Sequence, residues 1–156
     1  MGAESVTVCF TGNPNCGKTT LFNAYTGAGK KTANWPGVTV ALSEGSLMHR
    51  GRLVHLVDTP GIYSLDPYTM EETVTRQCIR DQKADVIIHV ADALLLERSL
   101  FLTMQLLAEG RPMVLALNMM DLVRERGMDI DTEGLSRLLG GIPVIPVSAR
   151  RRTGLE

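Results

Sequence analysis

Residues 12–19 read GNPNCGKT, which fits the spacing GxxxxGK[ST]. The pattern has a physical meaning only where a strand leads in and a helix leads out, and the flanks supply both. Ser5 to Thr11 is a short β-branched apolar run, and Thr19 to Tyr25 has a helix-compatible pattern. In that setting the loop Gly12, Asn13, Pro14, Asn15, Cys16 and Gly17 turns backbone N–H groups toward phosphate oxygens. The helix that opens at Lys18, Thr19 and Thr20 adds its positive dipole end. Lys18 neutralises β- and γ-phosphates, and the Thr19 hydroxyl is a ligand for Mg²⁺. A glycine-rich turn that matches by chance is the competing reading, and the strand and helix on either side weigh against it.

Working outward, residues 58–64 read DTPGIYS. They follow the apolar stretch Leu53 to Val57, which places Asp58 at the carboxyl end of a strand, where it can hold Mg²⁺ through water. The N–H of Gly61 is placed to meet a γ-phosphate and so to sense its loss. By itself DTPG is also an ordinary strand-ending turn; its place after the phosphate loop decides the matter. Residues 118–121, NMMD, follow the apolar run MVLAL. An aspartate there, Asp121, accepts two hydrogen bonds from guanine N1 and N2, a donor pair adenine lacks. Such contacts reject the wrong base by up to ~10⁴-fold. Asn118 and Met119 complete that loop, Met119 laying its thioether stem on the base face. Ser148 and Ala149 offer a backbone N–H to the guanine carbonyl. Each motif alone is weak. Four in this order are strong.

Around these motifs the chain reads as alternating strands and helices. Val40 to Met48 and Leu53 to Val57 form a hairpin turning at Gly51. Val86 to Ala91 and Met113 to Leu117 are continuously apolar, as strands buried on both faces are. Leu96, Leu100, Met104 and Leu107 recur at helical spacing before Gly110 and Pro112 end the helix. A further helix is expected from Asp131 to Leu139, with Leu135, Leu138 and Leu139 on one face, and a last strand from Pro143 to Val147. The fold expected is a doubly wound, mostly parallel α/β sheet with helices on both faces. Residues 1–156 are one domain. A covering helix is expected after the last strand, and its absence suggests a piece of a longer polypeptide.

The totals bound the function. Sixteen Lys and Arg against 17 Asp and Glu give a net charge of −1, without the basic excess of a dedicated nucleic-acid binder. Cys9, Cys16 and Cys78 are odd in number, lack CxxC spacing and read as free thiols. In its electropositive loop Cys16 reads as a small filler, with a lowered thiol pKa the competing reading. The N-terminus is too short and polar for a signal peptide, and no apolar run reaches the length of a membrane span.

Together the stretches GNPNCGKTTLFNAYTG, NWPGVTV (34–40), DTPGIYSL (58–65), LERSLFLTMQLLAEG (96–110) and ALNMMD (116–121) resemble the translation-factor-like class of small GTPases. More closely, they are similar to the N-terminal G domain of the FeoB ferrous-iron transporter family, over essentially the whole chain. The resemblance implies a P-loop G domain that binds GTP and GDP, hydrolyses GTP slowly, and precedes a helical spacer and a membrane permease. It implies a place at the cytoplasmic face of the bacterial inner membrane, no nucleic-acid partner, and room for a homo-oligomer. It also implies that Thr39 joins Mg²⁺ and γ-phosphate in the GTP state; on pattern alone Thr39 is equally a residue entering a strand. Met119 stands where guanine readers usually carry a lysine, and Cys16 where a serine is more usual.

One departure bears on the chemistry. Familiar switches place a water-positioning glutamine after the DTPG-type glycine, and here the residue is Ile62. Even with that glutamine, unaided switches turn over at only ~10⁻⁴ s⁻¹, and an arginine finger adds ~10³–10⁵. The resemblance points to Asn15, whose carbonyl would help hold K⁺ against the phosphates; a positioned charge of that kind supplies ~10–10³-fold. The competing reading is that Asn15 only shapes its loop. Catalytic roles thus fall to Asn15, Lys18, Thr39 and Gly61. Glu71 and Glu72 read as an acidic first helical turn, His89 as a strand residue with one hydrogen bond, Trp35 as a docking or loop-packing residue, and Arg150 to Arg152 as a solvated helix start. Rival readings are an Era-type ribosome-assembly GTPase, a GTP-sensing module without turnover, and an ATP-using P-loop enzyme. Charge, NWPGVTV and Asp121 argue against the first and third.

Overall fold

The structure is a computed structural model and describes residues 5–27, 30–34, 41–81 and 84–156. The strands are β1 (Val6–Gly12), β2 (Lys31–Asn34), β3 (Ala41–His49), β4 (Arg52–Asp58), β5 (Val86–Asp92), β6 (Met113–Asn118) and β7 (Val144–Pro146). The helices are α1 (Lys18–Thr26), α2 (Met70–Arg80), α3 (Leu96–Ala108), α4 (Met120–Glu125) and α5 (Thr132–Leu138), with a 3₁₀ turn over Ala93–Leu95. One seven-stranded sheet runs in the order β2-β3-β4-β1-β5-β6-β7. β4, β1, β5, β6 and β7 are parallel to one another, while β2 and β3 add on antiparallel. The fold is the mostly parallel, doubly wound sheet expected.

The parallel strands are buried on both faces, which is why they read as apolar runs without alternation. On one face Val8 and Phe10 of β1, with Val90 and Ala116, meet Leu21 and Phe22 of α1; the Phe10 and Phe22 rings meet edge to face at 5.7 Å. On the other, Cys9 and Val57 meet Val74 and Cys78 of α2. Beside them Ile87 and Met113 meet Leu102 and Leu106 of α3. The hairpin turns through Arg50 (φ 49°) and Gly51 (φ 79°) between the paired His49 and Arg52. Two left-handed central residues make the tight turn whose twist matches the strands it joins.

Three expectations are corrected. Cys9 and Cys78 are not isolated from each other: α2 packs across β1 and brings the two sulfurs together across 69 residues, while Cys16 is a lone, buried cysteine among the described residues. The buried stripe of α3 runs through Ser99, Leu102, Thr103 and Leu106, with Met104 58% exposed. Ser99 and Thr103 can face the core because their hydroxyls bond backward to the carbonyls of Leu95 (3.3 Å) and Ser99 (3.0 Å). Leu138 is 84% exposed, and α5 packs instead through Leu135 and Leu139.

Candidate nucleotide site

The phosphate loop, DTPG, NMMD and Ser148-Ala149 each follow the carboxyl end of a parallel strand, the edge at which doubly wound sheets bind ligands. The loop from Asn13 to Gly17 leaves β1 and enters α1 with Asn15 (φ 65°) and Gly17 (φ 84°) left-handed. Gly17 is the residue before the helix, and a side chain there would run into the Asn118 amide. The loop wraps a cavity of about 340 Å³ lined by Asn13, Pro14, Asn15, Gly17, Lys18, Thr19, Thr20 and Gly61. Asn15 is exposed at this cavity, while the Oδ1 of buried Asn13 has no partner. Cys16 is buried, and burial raises its thiol pKa against the opposing pull of the Lys18 charge and loop hydrogen bonds. The small-filler reading of Cys16 fits this; the lowered-pKa reading does not.

Asp58, at the end of β4, gathers the charged groups. Its Oδ1 pairs with Lys18 Nζ in a buried ion pair, and its Oδ2 accepts from the Thr19 hydroxyl at 2.9 Å. Thr59 fixes the following turn to β1, its N–H and hydroxyl both donating to the Phe10 carbonyl at 3.1 and 2.6 Å. Gly61 sits against the phosphate loop so closely that a Cβ there would lie 2.9 Å from Pro14 Cα. Ile62 donates its N–H to the Gly12 carbonyl at 3.0 Å and buries its side chain, 3% exposed. Among the described residues no cluster of three His, Cys, Asp or Glu could cage a metal. The hard oxygens of Thr19 and Asp58 do fit Mg²⁺, which takes one or two protein oxygens and completes its shell with phosphate and water.

The base-reading loops meet through one side chain. Asn118 donates from Nδ2 to the Cys16 carbonyl and accepts at Oδ1 from the Ala149 N–H, both at 2.9 Å. The Ser148 N–H donates to the Thr153 carbonyl at 3.1 Å. Asn118 therefore ties the phosphate loop to the last loop, a role that NMMD did not announce. Met119 (φ 68°) precedes α4 and reaches toward Gly17. Asp121, 11% exposed at its side chain, lies 3.3 Å from Arg151 Nε. Arg150 to Arg152 do not begin a helix: Ser148 and Thr153 bond each other in a closed turn, because the chain reverses before it can wind. Thr39 and Trp35 lie outside the described residues.

The remaining residues keep the plainer roles expected of them. Glu72 closes a capping box, accepting from the Thr69 N–H at 2.9 Å, and Glu71 lies exposed in the same first turn of α2. His89 holds one hydrogen bond, 2.8 Å from the Thr103 hydroxyl, and burial pushes its pKa down to about 4.

The family described as Ferrous iron transport protein B matches residues 6–156. Among curated proteins, the Fe(2+) transporter FeoB of Legionella pneumophila (strain Paris) is 48% identical over 148 residues, covering 92% of this chain and 20% of the relative. FeoB of Salmonella typhimurium (strain LT2) is 43% identical over 157 residues, covering 98% of this chain and 20% of the relative. This chain thus spans about a fifth of the length of those relatives. Among solved structures, the cytosolic domain of T. maritima FeoB in a GDP form superposes with a TM-score of 0.95 at 40% identity, covering 100% of this chain and 61% of that one. The cytosolic domain of L. pneumophila FeoB gives 0.89 at 47% identity, covering 96% and 59%. Matched over its sheet, its phosphate loop and its strand-end motifs alike, the chain belongs to the ferrous iron transport protein B family.

Proposed function

We propose that this chain is the guanine-nucleotide-binding G domain of a ferrous-iron transporter, and that it hydrolyses GTP slowly with Mg²⁺ and with stimulation by K⁺. The observation that carries the reading is the convergence of Lys18, Thr19 and Asp58 beside the phosphate loop. A buried ion pair is costly to desolvate and gains little net stability. Its value here is as a stored set of phosphate and metal partners: a nucleotide takes Lys18 as its counter-charge and frees Asp58. GDP-bound relatives support the guanine assignment for this chain.

The chemistry asked of the protein is modest. Water attacks the γ-phosphorus, the bond to the bridging oxygen breaks, and GDP and phosphate leave. Lys18 offsets charge on the phosphates, and the Gly61 N–H donates to the γ-phosphate. Thr39, by family likeness, adds the switch I hydroxyl. Thr19 and Asp58 would hold Mg²⁺, whose chemistry there would be charge stabilisation. The Asn15 amide oxygen, exposed at the cavity, would help hold K⁺, which would supply positive charge where an arginine finger otherwise acts. Turnover is slow because Ile62 has neither donor nor acceptor on its side chain and lies in the core.

The role in iron uptake rests on the family. Relatives of which this chain spans 20% are named Fe(2+) transporters; on the family resemblance, the chain is proposed to work beside a helical spacer and a membrane permease at the cytoplasmic face of the inner membrane. Among the described residues no helix is long and apolar enough to cross a membrane. The experiment that tests the nucleotide reading compares GTP, GDP and ATP affinities and follows phosphate release with Mg²⁺ or with EDTA. Micromolar or tighter guanine binding, much weaker ATP binding and Mg²⁺-dependent release are expected. Equal affinity for ATP would overturn it.

A further inference from the structure

Asp121 and Glu125 lie four residues apart on α4, so both carboxylates project from one helical face. Two like charges so placed repel, and Arg151 lies between them. Its guanidinium donates from Nη2 to Glu125 Oε1 at 2.7 Å, and its Nε lies 3.3 Å from Asp121 Oδ2. The backbone holds it there: Arg151 N–H donates to Ser148 Oγ at 3.2 Å, inside the turn closed by the Ser148 and Thr153 bonds of 3.1 Å. The contact with Glu125 is a full charge-assisted hydrogen bond, whereas 3.3 Å is longer than such bonds run. Arg151 is thus anchored at Glu125 and Ser148 and leans on Asp121.

We infer that Arg151 is a positioning residue for base recognition, fixing the rotation of the Asp121 carboxylate so that it meets both guanine donors at once. The inference rests on the reading of Asp121 as the guanine-contacting residue. The second torsion of an aspartate is broad and soft, and a carboxylate read by two parallel N–H donors must hold one plane. A cation at Oδ2 from the side sets that plane. Each carboxylate oxygen accepts more than one hydrogen bond, so Oδ1 and the remaining lone pair of Oδ2 stay open to N1–H and N2–H. The discrimination that depends on the plane is therefore guanine against hypoxanthine, which keeps N1–H and lacks the 2-amino group.

The test measures affinities of the chain for GDP and IDP in wild type, Arg151→Ala, Glu125→Gln and Asp121→Ala. Arg151→Ala is expected to lower the GDP-over-IDP ratio about two- to fivefold, the scale of a partly exposed ion pair. Glu125→Gln, which loosens the anchor without touching Asp121, lowers it in the same direction. A variant carrying both Arg151→Ala and Glu125→Gln falls no further than Arg151→Ala alone, as residues in one chain of contacts do. An unchanged ratio with both affinities reduced assigns Arg151 a merely structural role and overturns the inference. Tighter GDP binding by Arg151→Ala overturns it too, making the arginine a competitor for Asp121. If Asp121→Ala leaves GDP affinity intact, the guanine-reading assignment itself fails, and this inference fails with it.

Discussion

The N–H of Ile62 donates to the carbonyl of Gly12 at 3.0 Å, pinning the segment after Asp58 to the root of the phosphate loop. The same residue packs its side chain with Leu65, Ile79, Ile87 and Leu102. The position where familiar switches carry a catalytic glutamine is therefore spent on the core. Ile62→Gln is expected to destabilise the fold by about 2–4 kcal/mol, through a buried amide without partners and lost apolar contact. It is not expected to accelerate hydrolysis. Urea unfolding and phosphate release check the two halves, and a faster variant would show that the side chain reaches the cleft.

Gly61 tests the sensing role of the same segment. A Cβ there meets Pro14 backbone at 2.9 and 3.1 Å, atoms that cannot rotate away. Gly61→Ala is expected to push the turn off the phosphate loop, lowering the hydrolysis rate about tenfold or more, the order lost when one aimed donor is misplaced. GDP affinity, which needs no γ-phosphate contact, should change little. Rates and affinities measured side by side decide it.

Asn118→Ala removes the tie between Cys16 and Ala149. It leaves a carbonyl and an N–H without partners in buried surroundings, at about 1–3 kcal/mol for each group. The expected result is both a lower urea midpoint without nucleotide and weaker GDP binding. A loss of affinity with unchanged stability would mean that Asn118 acts only on the ligand.

His89 makes stability depend on pH. Its folded pKa of about 4 lies below the ordinary 6.5 because burial disfavours the imidazolium. Between those values the unfolded chain binds more protons, so stability falls as pH drops from about 6.5 toward 4 and levels off below. The shift corresponds to a loss of about 2 kcal/mol by pH 5 relative to pH 7. Urea unfolding at the two pH values should show the loss in wild type and much less of it in His89→Gln.

The phosphate loop, Asp58, the hairpin and the apolar strands were legible because local pattern and tertiary role coincide there. β2 was missed: Lys31–Asn34 is a short, polar edge strand whose identity comes from pairing with β3. The stripe of α3 was misplaced because Thr103 is buried against His89 and Ser99 is buried with its hydroxyl bonded back to Leu95, polar contacts that the apolar look of exposed Met104 hides. The meeting of Cys9 with Cys78 depends on how α2 crosses β1, which spacing does not encode. At the site, the sequence names Asn118 and Asp121 for their chemistry, while the contacts that hold them come from residues distant in the chain. Neither Cys16 to Asn118 nor Asp121 to Arg151 has a motif.

A monovalent cation held at Asn15 is proposed to fill part of the gap left by Ile62. The most direct measurement is the single-turnover rate of GTP hydrolysis in matched KCl and NaCl, for wild type and Asn15→Ala. Stimulation by KCl of about 10-fold or more is expected in wild type and none in the variant, with GDP affinity largely retained. Equal rates in both salts for wild type, or stimulation that survives in Asn15→Ala, would contradict it.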